Sequence, residues 1–487
     1  MNADDFNDRW VNLLSEQRRK KDGAAAAADA GETRTEIERD YDRILFSTPV
    51  RRLADKTQVF PLDKNDSVRT RLTHSHEVSN LSRSLGTTLA FECKVGAAAS
   101  NYCRNIPSLL AAIGLAHDLG NPPFGHQGES AIQSWFKENK AEVLSSRGLS
   151  EQQQQDFLKF EGNAQAFRLV TKLQLLNDDF GLDLTYATLA GMMKYPTSSD
   201  RTNKEFAATK KHGFFASEQH IAERVFSRTG TGYGIRHPLA YVMESCDDIA
   251  YVVLDVEDAV KKGLASFSDL IEHLRHEAGQ DVVVNAVITK SCAKHDEYRK
   301  LGELSPLELN DVSMQRFRVF AIGELVRCAV DAFKKNEKEL VTGNLKSPLL
   351  EVSDGEALRK ALKTFGFRQA YTHRSVLKVE LLGYNVLRRL MDIFWDAIVN
   401  RADENKLDSQ RKHPFSRFVY GRISENYRRA FERPNEEARK LPVRYRECLL
   451  LTDMISGMTD SYAVDLQNEL DSLIGAHVLV KRTEVPK

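Results

Sequence analysis

The chain has 487 residues, of which 41% are hydrophobic and 28% are charged, an ordinary balance for a globular protein. Lys plus Arg and Asp plus Glu both number 69, so the formal net charge is zero and no overall field attracts a polyanion. No apolar run is long enough to span a bilayer, no signal peptide opens the chain and the six cysteines lack CxxC pairing, which predicts a cytoplasmic protein with reduced thiols and no membrane contact.

The first 35 residues predict a flexible segment ahead of the folded chain. Residues 16–35 combine the basic run RRKK with five alanines and the polar stretch DAGET, a composition typical of mobile chain. Four charges in such a segment usually stay solvated, so the basic run does not by itself indicate a nucleic-acid site. We place a folded core at residues 36–270 and a further region at residues 271–487.

A helix that carries histidines is predicted to begin near Arg71, in the sequence RLTHSHE. Apolar residues follow close to the helical period, at Val78, Leu81, Leu85 and Leu89. Either His74 or His76 could supply a metal ligand, and spacing alone does not choose between them.

The stretch IGLAHDLGNPPFGHQGES, residues 113–130, is the most informative part of the chain. An apolar helix delivers the pair His117–Asp118, and the sequence GNPP must end that helix because proline lacks a backbone donor. His126 and Glu129 then lie one helical turn apart. Imidazole and carboxylate together suit a borderline divalent metal, but a lone His–Asp pair is more often structural, so further ligands are needed.

A third segment, MESCDDIAYVVLDVEDAV, offers such a ligand. Asp247, Tyr251 and Asp255 recur every four residues and therefore share one face of a helix. The neighbouring side chains are apolar and leave little surface to solvate, so we expect Asp247 to face a site. An ordinary solvated face remains the alternative for the other acids, which are Asp248, Glu257 and Asp258.

Six ordered motifs carry a family resemblance. They are, in chain order, RLTHS, AHDLGNPPFGHQGE, FEGNAQ, MKYP, DDIAYVVLDVEDA and GMTD. Together they resemble the HD-domain deoxyguanosinetriphosphate triphosphohydrolases, strongly over residues 36–260 and again in RYRECLLLTDMISGMTDSYA near the end. The resemblance implies an all-α protein with an HD-domain helical core and an additional C-terminal helical region, which would complete the site and form oligomer contacts.

The resemblance also implies the residues of a metal centre and its substrate site. The metal ligands would be His74, His117, Asp118 and Asp247, and the ion Mn²⁺ or Mg²⁺. His126 would transfer a proton, with Glu129 as its orienting partner. Tyr251, Asp255 and Gln58 would contact the sugar, Gln58 also the base, and the phosphates would face Asn163, Lys194, Tyr195 and Lys211, the last preferred to Lys210.

The chemistry of such a substrate agrees with these roles. A nucleoside triphosphate carries about four negative charges near neutral pH, and a neutral chain must attract it locally, through the metal and through Arg71, Lys194 and Lys211. Hydrolysis at the α-phosphate expels the nucleoside 5′-oxygen, which needs a proton as it leaves, and a histidine oriented by a carboxylate can supply one. The products would be a deoxynucleoside and tripolyphosphate, and dGTP is the substrate that the resemblance implies.

The C-terminal region predicts long amphipathic helices at residues 312–333 and 376–399, whereas the β-branched run at 281–288 is ambiguous between strand and helix. Farther on, residues 417–429 hold an arginine cluster among aromatic side chains. It is interpreted either as a solvated face paired with Glu425, Glu432 and Glu437, or as a source of phosphate or base contacts, with Arg417 and Arg428 as candidates. The resemblance implies a homo-oligomer, with a hexamer as one expected state, and for some relatives contact with single-stranded DNA, which the neutral net charge does not support independently.

Two alternative functions are a different enzyme and a binding protein. One is a different HD-type nucleotide phosphohydrolase, which the ordered motifs GHQGE, FEGNAQ and MKYP disfavour. The other is a catalytically silent scaffold that binds nucleotide or DNA, which would have no need to keep all six metal and proton-transfer residues.

Overall fold

The computed structural model of the protein describes residues 3–21, 33–60, 62, 68–145, 148–174 and 179–474. Over these ranges the chain forms 22 α-helices joined by short 3₁₀ and π turns, with isolated bridges but no strand, which confirms the predicted all-α fold. Within the same ranges, no helix has both the length and the apolar character that crossing a membrane requires.

Twelve helices precede residue 262. They are α1 (Ala3–Leu13), α2 (Glu36–Leu45), α3 (Thr48–Arg52), α4 (Arg71–Phe91), α5 (Tyr102–Ala116), α6 (Gly125–Glu138), α7 (Lys140–Val143), α8 (Glu151–Leu158), α9 (Gly162–Arg168), α10 (Tyr186–Met192), α11 (Gln219–Thr229) and α12 (Pro238–Lys261). Ten follow it, and they are α13 (Phe267–Ala278), α14 (Val282–Leu301), α15 (Pro306–Thr342), α16 (Glu356–Gly366), α17 (Arg374–Val399), α18 (Pro414–Gly421), α19 (Glu425–Glu432), α20 (Glu436–Arg439), α21 (Val443–Ser456) and α22 (Asp460–Leu473).

The ambiguous run at 281–288 is helical and opens α14. Asp281 caps that helix, because its side chain accepts hydrogen bonds from the backbone N–H groups of Val283 and Val284. Val287 and Ile288 are buried from the next turn, so tertiary packing and the cap together override the strand preference of the β-branched residues.

Helices α4 and α5 lie against each other at very short range, and α12 packs on both. Gly114 of α5 faces the backbone of α4: a Cβ there would be 2.9 Å from Ser79 Cα. Gly86 makes the reverse contact, since a Cβ would lie 3.1 Å from the Cα of Pro107. This close approach brings the start of α4 and the end of α5 together beside the middle of α12.

The turn between α5 and α6 ends the first helix where the sequence predicted. Helix α5 stops at Ala116, and α6 begins at Gly125. Phe124 and Gly125 both adopt left-handed backbone angles, with φ of 59° and 56°. Gly120 is packed so tightly that a Cβ would lie 2.1 Å from the carbonyl oxygen of Gly162, so no larger residue fits there.

Three apolar cores support these helices. The first joins α4, α5 and α12 to α13–α16 and extends in sequence from Trp10 to Phe365. The second joins α6 and α8 to α17, α18, α19, α21 and α22, and the third lies between α5 and α9–α11. The first core thus includes residues on both sides of position 270, and the predicted division of the chain there stays a prediction.

The expectation of a solvated basic run near the amino terminus was wrong for two of its residues. Arg18 is 5% exposed and lies 2.7 Å from the carboxylate of Asp40, while Arg19 donates to the carbonyl oxygen of Thr171. Burial of both guanidinium groups follows from acceptors far away in sequence, which composition does not reveal. The flexible segment was predicted for residues 1–35. Residues 22–32 of it lie outside the described residues, whereas Ala3–Leu13 form α1 and bury Trp10 and Leu13.

Candidate functional site

Three side chains from three helices meet at one point. His74 lies in the first turn of α4, His117 directly follows α5 and Asp247 lies in the middle of α12. Asp247 Oδ1 is 3.2 Å from His74 Nε2 and 3.5 Å from His117 Nε2. One nitrogen or oxygen atom from each of the three residues lies within 4.8 Å of the other two, which is close enough for a single ion to contact all three.

In its neutral form, His117 presents a lone pair in a way that fits a metal ion. His117 Nδ1 donates to the carbonyl oxygen of Gly114 at 2.7 Å, which leaves Nε2 unprotonated and directed at the carboxylates. That Nε2 atom is buried and has no hydrogen-bond partner among the described residues. A buried acceptor of this kind beside a carboxylate is the donor set that borderline divalent ions prefer.

Asp118 lies at the edge of this group and is held by two donors. Its Oδ2 atom is 3.6 Å from His117 Nε2 and accepts a hydrogen bond from Arg71, while Oδ1 accepts from the Asn121 amide at 2.6 Å. Burial alone would raise the pKa of Asp118, but Arg71 and His117 outweigh it and lower that pKa to about 2. The carboxylate is therefore ionised at neutral pH, although it is not among the three residues whose ligand atoms cluster.

Asp247 is also held in its ionised form. Burial opposes ionisation, but His117, a hydrogen bond from His74 and the ammonium of Lys194 hold its pKa well below the ordinary range. Lys194 Nζ lies 3.6 Å from Asp247 Oδ2 and 3.5 Å from Glu244 Oε1. The ammonium group of Lys194 therefore lies beside the cluster of His74, His117 and Asp247.

His126 and Glu129 form a hydrogen-bonded pair at the start of α6. His126 Nδ1 is 3.0 Å from Glu129 Oε2, and Glu129 Oε1 accepts from the backbone N–H of Gly162 at 2.8 Å. The imidazole is 86% exposed and its carboxylate partner 8%. The hydrogen bond to Glu129 raises the pKa of His126, while the charges of Lys211 and Arg71 oppose that rise. The imidazole is thus held by a carboxylate that the backbone of α9 fixes in turn.

Tyr251 and Asp255 lie on the next turns of α12, where the sequence predicted a common face. The Tyr251 ring stacks on Tyr371, with centroids 5.7 Å apart and planes 15° from parallel. Tyr371 donates its hydroxyl hydrogen bond to Asp255 Oδ2, and Asp255 Oδ1 is buried without a partner among the described residues. Burial raises the pKa of Asp255 well above its ordinary value.

The predicted phosphate-facing residues contact acids of the protein. Lys211 Nζ lies 2.8 Å from Glu161 Oε2, and the Asn163 amide donates to Glu161 Oε1 at 2.7 Å. Glu161 is 4% exposed, and burial raises its pKa. Lys210, the alternative to Lys211, instead lies 3.7 Å from Glu244 Oε1. The structure thus places the two lysines beside different carboxylates.

Two predicted contact residues are less directly placed. Tyr195 is 4% exposed, and its ring packs against the guanidinium of Arg236, 5.6 Å from the ring centroid. Gln58 is half-buried, and its Oε1 atom has no hydrogen-bond partner among the described residues. Tyr195 is thus held by packing, and Gln58 has a buried acceptor without a partner among the described residues.

The solvated-face alternative was wrong for two acids of α12. Glu257 is fully buried, with its carboxylate 2.6 Å from Arg69 and 2.7 Å from Arg318. Asp258 is 1% exposed and also pairs with Arg69. Asp248 is half-buried, 4.0 Å from Arg359, and burial raises its pKa to about 6. His76, the alternative to His74, is exposed.

The arginine cluster at 417–429 agrees only in part with the solvated-face interpretation, and the predicted phosphate or base contacts stay a prediction. Arg429 pairs with Glu425 at 3.1 Å, as expected for a solvated helix face. Glu432 accepts from the hydroxyl of Tyr420 instead of an arginine. Arg417 is exposed on α18, and the Nε atom of Arg428 donates to the carbonyl oxygen of Ile423.

Sequence reasoning did not select Tyr371, Glu161 or Asn121, although each contacts a selected residue. Tyr371 lies 120 positions after Tyr251, outside any periodic pattern that includes α12. Glu161 and Asn121 lie within quoted motifs, FEGNAQ and GNPP, so the signal was present but carried no indication of the partner.

The chain is similar to known proteins over nearly its whole length. Residues 71–190 match the HD domain family model. The chain is 34% identical over 475 residues to a deoxyguanosinetriphosphate triphosphohydrolase-like protein of Listeria monocytogenes, covering 96% of this chain and 100% of that relative. It is 33% identical over 507 residues to a probable deoxyguanosinetriphosphate triphosphohydrolase of Pseudomonas aeruginosa, covering 97% and 99%. A deoxyguanosinetriphosphate triphosphohydrolase of Serratia proteamaculans is 34% identical over 475 residues, covering 88% and 92%.

Proposed function

The chain belongs to the deoxyguanosinetriphosphate triphosphohydrolase-like family of HD-domain enzymes, and on that premise we propose that it hydrolyses a deoxynucleoside triphosphate, dGTP foremost, to the deoxynucleoside and tripolyphosphate. The observation that carries this proposal is the meeting of His74, His117 and Asp247 from three separate helices. Such a convergence of lone pairs and negative charge is costly inside a protein unless a cation or substrate uses it.

We propose that these three residues and Asp118 hold one divalent ion, Mn²⁺ or Mg²⁺. The unprotonated Nε2 of His117 and the ionised carboxylate of Asp247 support this assignment. An ion bound there would supply Lewis-acid activation of a phosphate and of a water molecule. Asp118 keeps its hydrogen bonds from Arg71 and Asn121, which orient its carboxylate toward His117.

In this proposal His126 gives its proton to the departing 5′-oxygen. The exposed ring is free to meet a substrate, and Glu129 keeps the proton on it by raising its pKa. Glu129 also fixes which nitrogen faces the cleft, because Nδ1 bonds to the carboxylate and Nε2 therefore points outward.

The substrate would be selected by charge and by sugar shape. Arg71, Lys194 and Lys211 supply local positive charge that the neutral chain as a whole lacks. Lys211 would leave Glu161 for a phosphate, an exchange of one charged partner for another. The stacked pair Tyr251–Tyr371 forms a flat wall that would exclude a 2′-hydroxyl, and the buried, unpaired Oδ1 atom of Asp255 would hydrogen-bond to the 3′-hydroxyl.

The test is an assay of the purified protein with Mn²⁺ or Mg²⁺ and each of the four dNTPs, with products separated by ion exchange. Equal amounts of deoxynucleoside and tripolyphosphate are expected, with dGTP fastest. Release of pyrophosphate with the deoxynucleoside monophosphate, or of orthophosphate, would contradict cleavage of the bond between the 5′-oxygen and the α-phosphorus. The predicted homo-oligomer, for which a hexamer is one expected state, can be measured on the same preparation by light scattering, and the predicted contact with single-stranded DNA by titration.

The proposed role of Asp247 as a metal ligand can be tested with one variant and one control variant. Asp247→Asn removes the carboxylate that both histidines face, so Mn²⁺ binding measured by calorimetry should be lost and activity with it. Asp248→Asn, one residue along the same helix, should retain both. Loss of the ion from both variants, or from neither, would place the metal elsewhere.

A further inference from the structure

The turn between Asp118 and His126 is held by a residue near the other end of the chain. Asp460, the first residue of α22, is 2% exposed, and its Oδ1 atom accepts from the backbone N–H of Phe124 at 3.0 Å. Its Oδ2 atom accepts from the backbone N–H of Thr57 at 3.0 Å and from the Thr57 hydroxyl. One buried carboxylate thus joins α22, the segment before α4 and the turn that precedes His126.

A buried lysine makes a second connection, which joins the same turn and the same amino-terminal segment to the end of α21. Lys56 is 3% exposed, and its Nζ atom donates to the carbonyl oxygens of Asn121 at 2.5 Å and Ser456 at 2.8 Å. The Asn121 amide in turn donates to Asp118 Oδ1 at 2.6 Å. Ser456 is therefore connected to the proposed metal ligand Asp118 through Lys56 and Asn121. Asp460 is connected to the proposed proton donor His126 through Phe124 and the backbone of Gly125.

The backbone of this turn needs such support. Phe124 has a φ of 59°, a left-handed conformation that a residue with a side chain rarely adopts, and its side chain makes no capping hydrogen bond for α6. The Phe124 ring is enclosed by α17, where a Cβ at Gly383 would lie 2.3 Å from it. Helix α17 thus fixes the ring and Asp460 fixes the amide, and the peptide that leads into His126 has a single orientation.

We propose that Asp460 is a positioning residue for His126, acting through the Phe124 amide, an inference that rests on the proposed function. The hydrogen bonds of Asp460 go to Thr57 and Phe124, and none of them reaches the three clustered side chains or the His126 ring. Its effect on the reaction comes from the direction in which α6 starts, and so from where the imidazole stands relative to the leaving oxygen. The GMTD motif, which the proposed reaction itself does not use, thereby acquires a role in the site.

The variants are Asp460→Ala and Asp460→Asn, with Ser461→Ala as the matched control. Ser461 bonds to Asp55 at 2.8 Å, so the control cuts a link between the same helix and the same amino-terminal segment without reaching the turn. Asp460→Ala should lower kcat about 10- to 100-fold, the effect of misplacing a proton donor by about an ångström, while KM changes little. Asp460→Asn keeps one acceptor and should lose less, and Ser461→Ala should keep full kcat.

A second background separates positioning from general loss of stability. In His126→Ala protein, Asp460→Ala should have almost no further effect on kcat, because the group it positions is gone. The same fold loss in both backgrounds, or a lower Tm with unchanged kcat, would overturn the proposal.

Hydrogen exchange gives a readout that does not depend on turnover. Amide exchange over residues 118–129 should become faster in Asp460→Ala and stay unchanged in Ser461→Ala. Unchanged exchange in both variants overturns the proposal even if the protein hydrolyses no dNTP. If the wild-type protein hydrolyses no dNTP but Asp460→Ala still exchanges faster over this turn, only the proposed function is contradicted, because the turn still depends on Asp460.

Discussion

His126 differs from the other two site histidines in its exposure. Its side chain is 86% exposed, whereas those of His74 and His117 are 1% and 6% exposed. A metal ligand gains from burial because water competes less well for the ion, but a proton donor must reach the substrate and be reprotonated after each turnover. In the proposed mechanism histidine therefore has two roles, and the exposure of each ring decides which role it takes.

The pH dependence of the reaction should follow the state of His126. The hydrogen bond to Glu129 raises its pKa, so the donor stays protonated to a higher pH than a free imidazole would. The rate should therefore fall as pH rises through that pKa. Glu129→Gln removes the charge that raises the pKa, and the alkaline limb of kcat against pH should move to lower pH. His126→Ala should lower kcat about 10²- to 10⁴-fold while Mn²⁺ content stays unchanged.

Measurement of kcat from pH 5 to 10 for the three proteins checks this prediction. Glu161→Gln is a suitable control, because Glu161 is buried nearby but bonds to Lys211 and Asn163 instead of His126. Its alkaline limb should stay close to that of the unmodified protein. A limb that is identical in the Glu129→Gln and wild-type proteins would assign the titration to another group.

Single residues were predicted from the sequence where their chemistry was local. His117, Asp118, His126 and Glu129 lie within one motif, and the turn that separates them follows from glycine and proline. The partners of those residues were not predictable in the same way. Tyr371 meets Asp255 across 116 positions, and Asp460 meets Phe124 across 336, so only the folded chain reveals either contact.

At the scale of one element, α12 shows how a buried helix can carry charge. Its middle turn brings Asp247 to His74 and His117, while its last turns bury Glu257 and Asp258 against Arg69. The sequence indicated that the apolar residues left little room for solvent, but not that arginines from α15 and from the segment before α4 would neutralise these acids. Periodicity predicts which residues share a face, and not what that face meets.

Removal of Arg69 should therefore destabilise the protein strongly. Arg69→Ala leaves Asp258 as an unpaired buried carboxylate, and Glu257 keeps only Arg318. Loss of one partner from a buried ion pair costs about 3–5 kcal/mol, which urea unfolding would detect as a lower midpoint. The loss should shrink as pH falls, because burial already raises the pKa of Asp258 and protonation removes the uncompensated charge.

Arg327 provides the comparison for Arg69. It is also paired, with Glu324 at 3.0 Å, but its side chain is 56% exposed. Arg327→Ala should change the stability by about 0–1 kcal/mol, as is usual for an exposed ion pair. Equal effects of the two substitutions would mean that the buried acids of α12 find other partners.

At the scale of the whole molecule, the site depends on helices far from the HD-domain match at residues 71–190. Asp247 lies on α12, Tyr371 lies between α16 and α17, and Asp460 opens α22. The all-α class followed from the motifs, and the long C-terminal helices followed from their periodicity. The order in which those helices pack did not, because every amphipathic helix offers a similar apolar stripe to several possible neighbours.

A fragment that ends at residue 265 should therefore fail to form the site. Helix α12 packs against α15 and α16 in the first core, and a fragment without them exposes apolar residues such as Val252, Val256 and Val260. We expect such a fragment to elute as aggregate in size-exclusion chromatography, to lack near-ultraviolet circular dichroism and to bind Mn²⁺ weakly.

A cut at another place in the chain separates the effect of lost helix packing from the effect of lost covalent continuity. The exposed connection at residues 302–305 joins α14 to α15, so co-expressed fragments 1–303 and 304–487 retain every described helix. These two pieces should assemble, bind Mn²⁺ and unfold cooperatively, since the first core can form between them. A folded, metal-binding fragment 1–265 would instead establish the amino-terminal part as an independent domain. Failure of fragments 1–303 and 304–487 to assemble would show that covalent continuity, more than the packing of α12, limits folding.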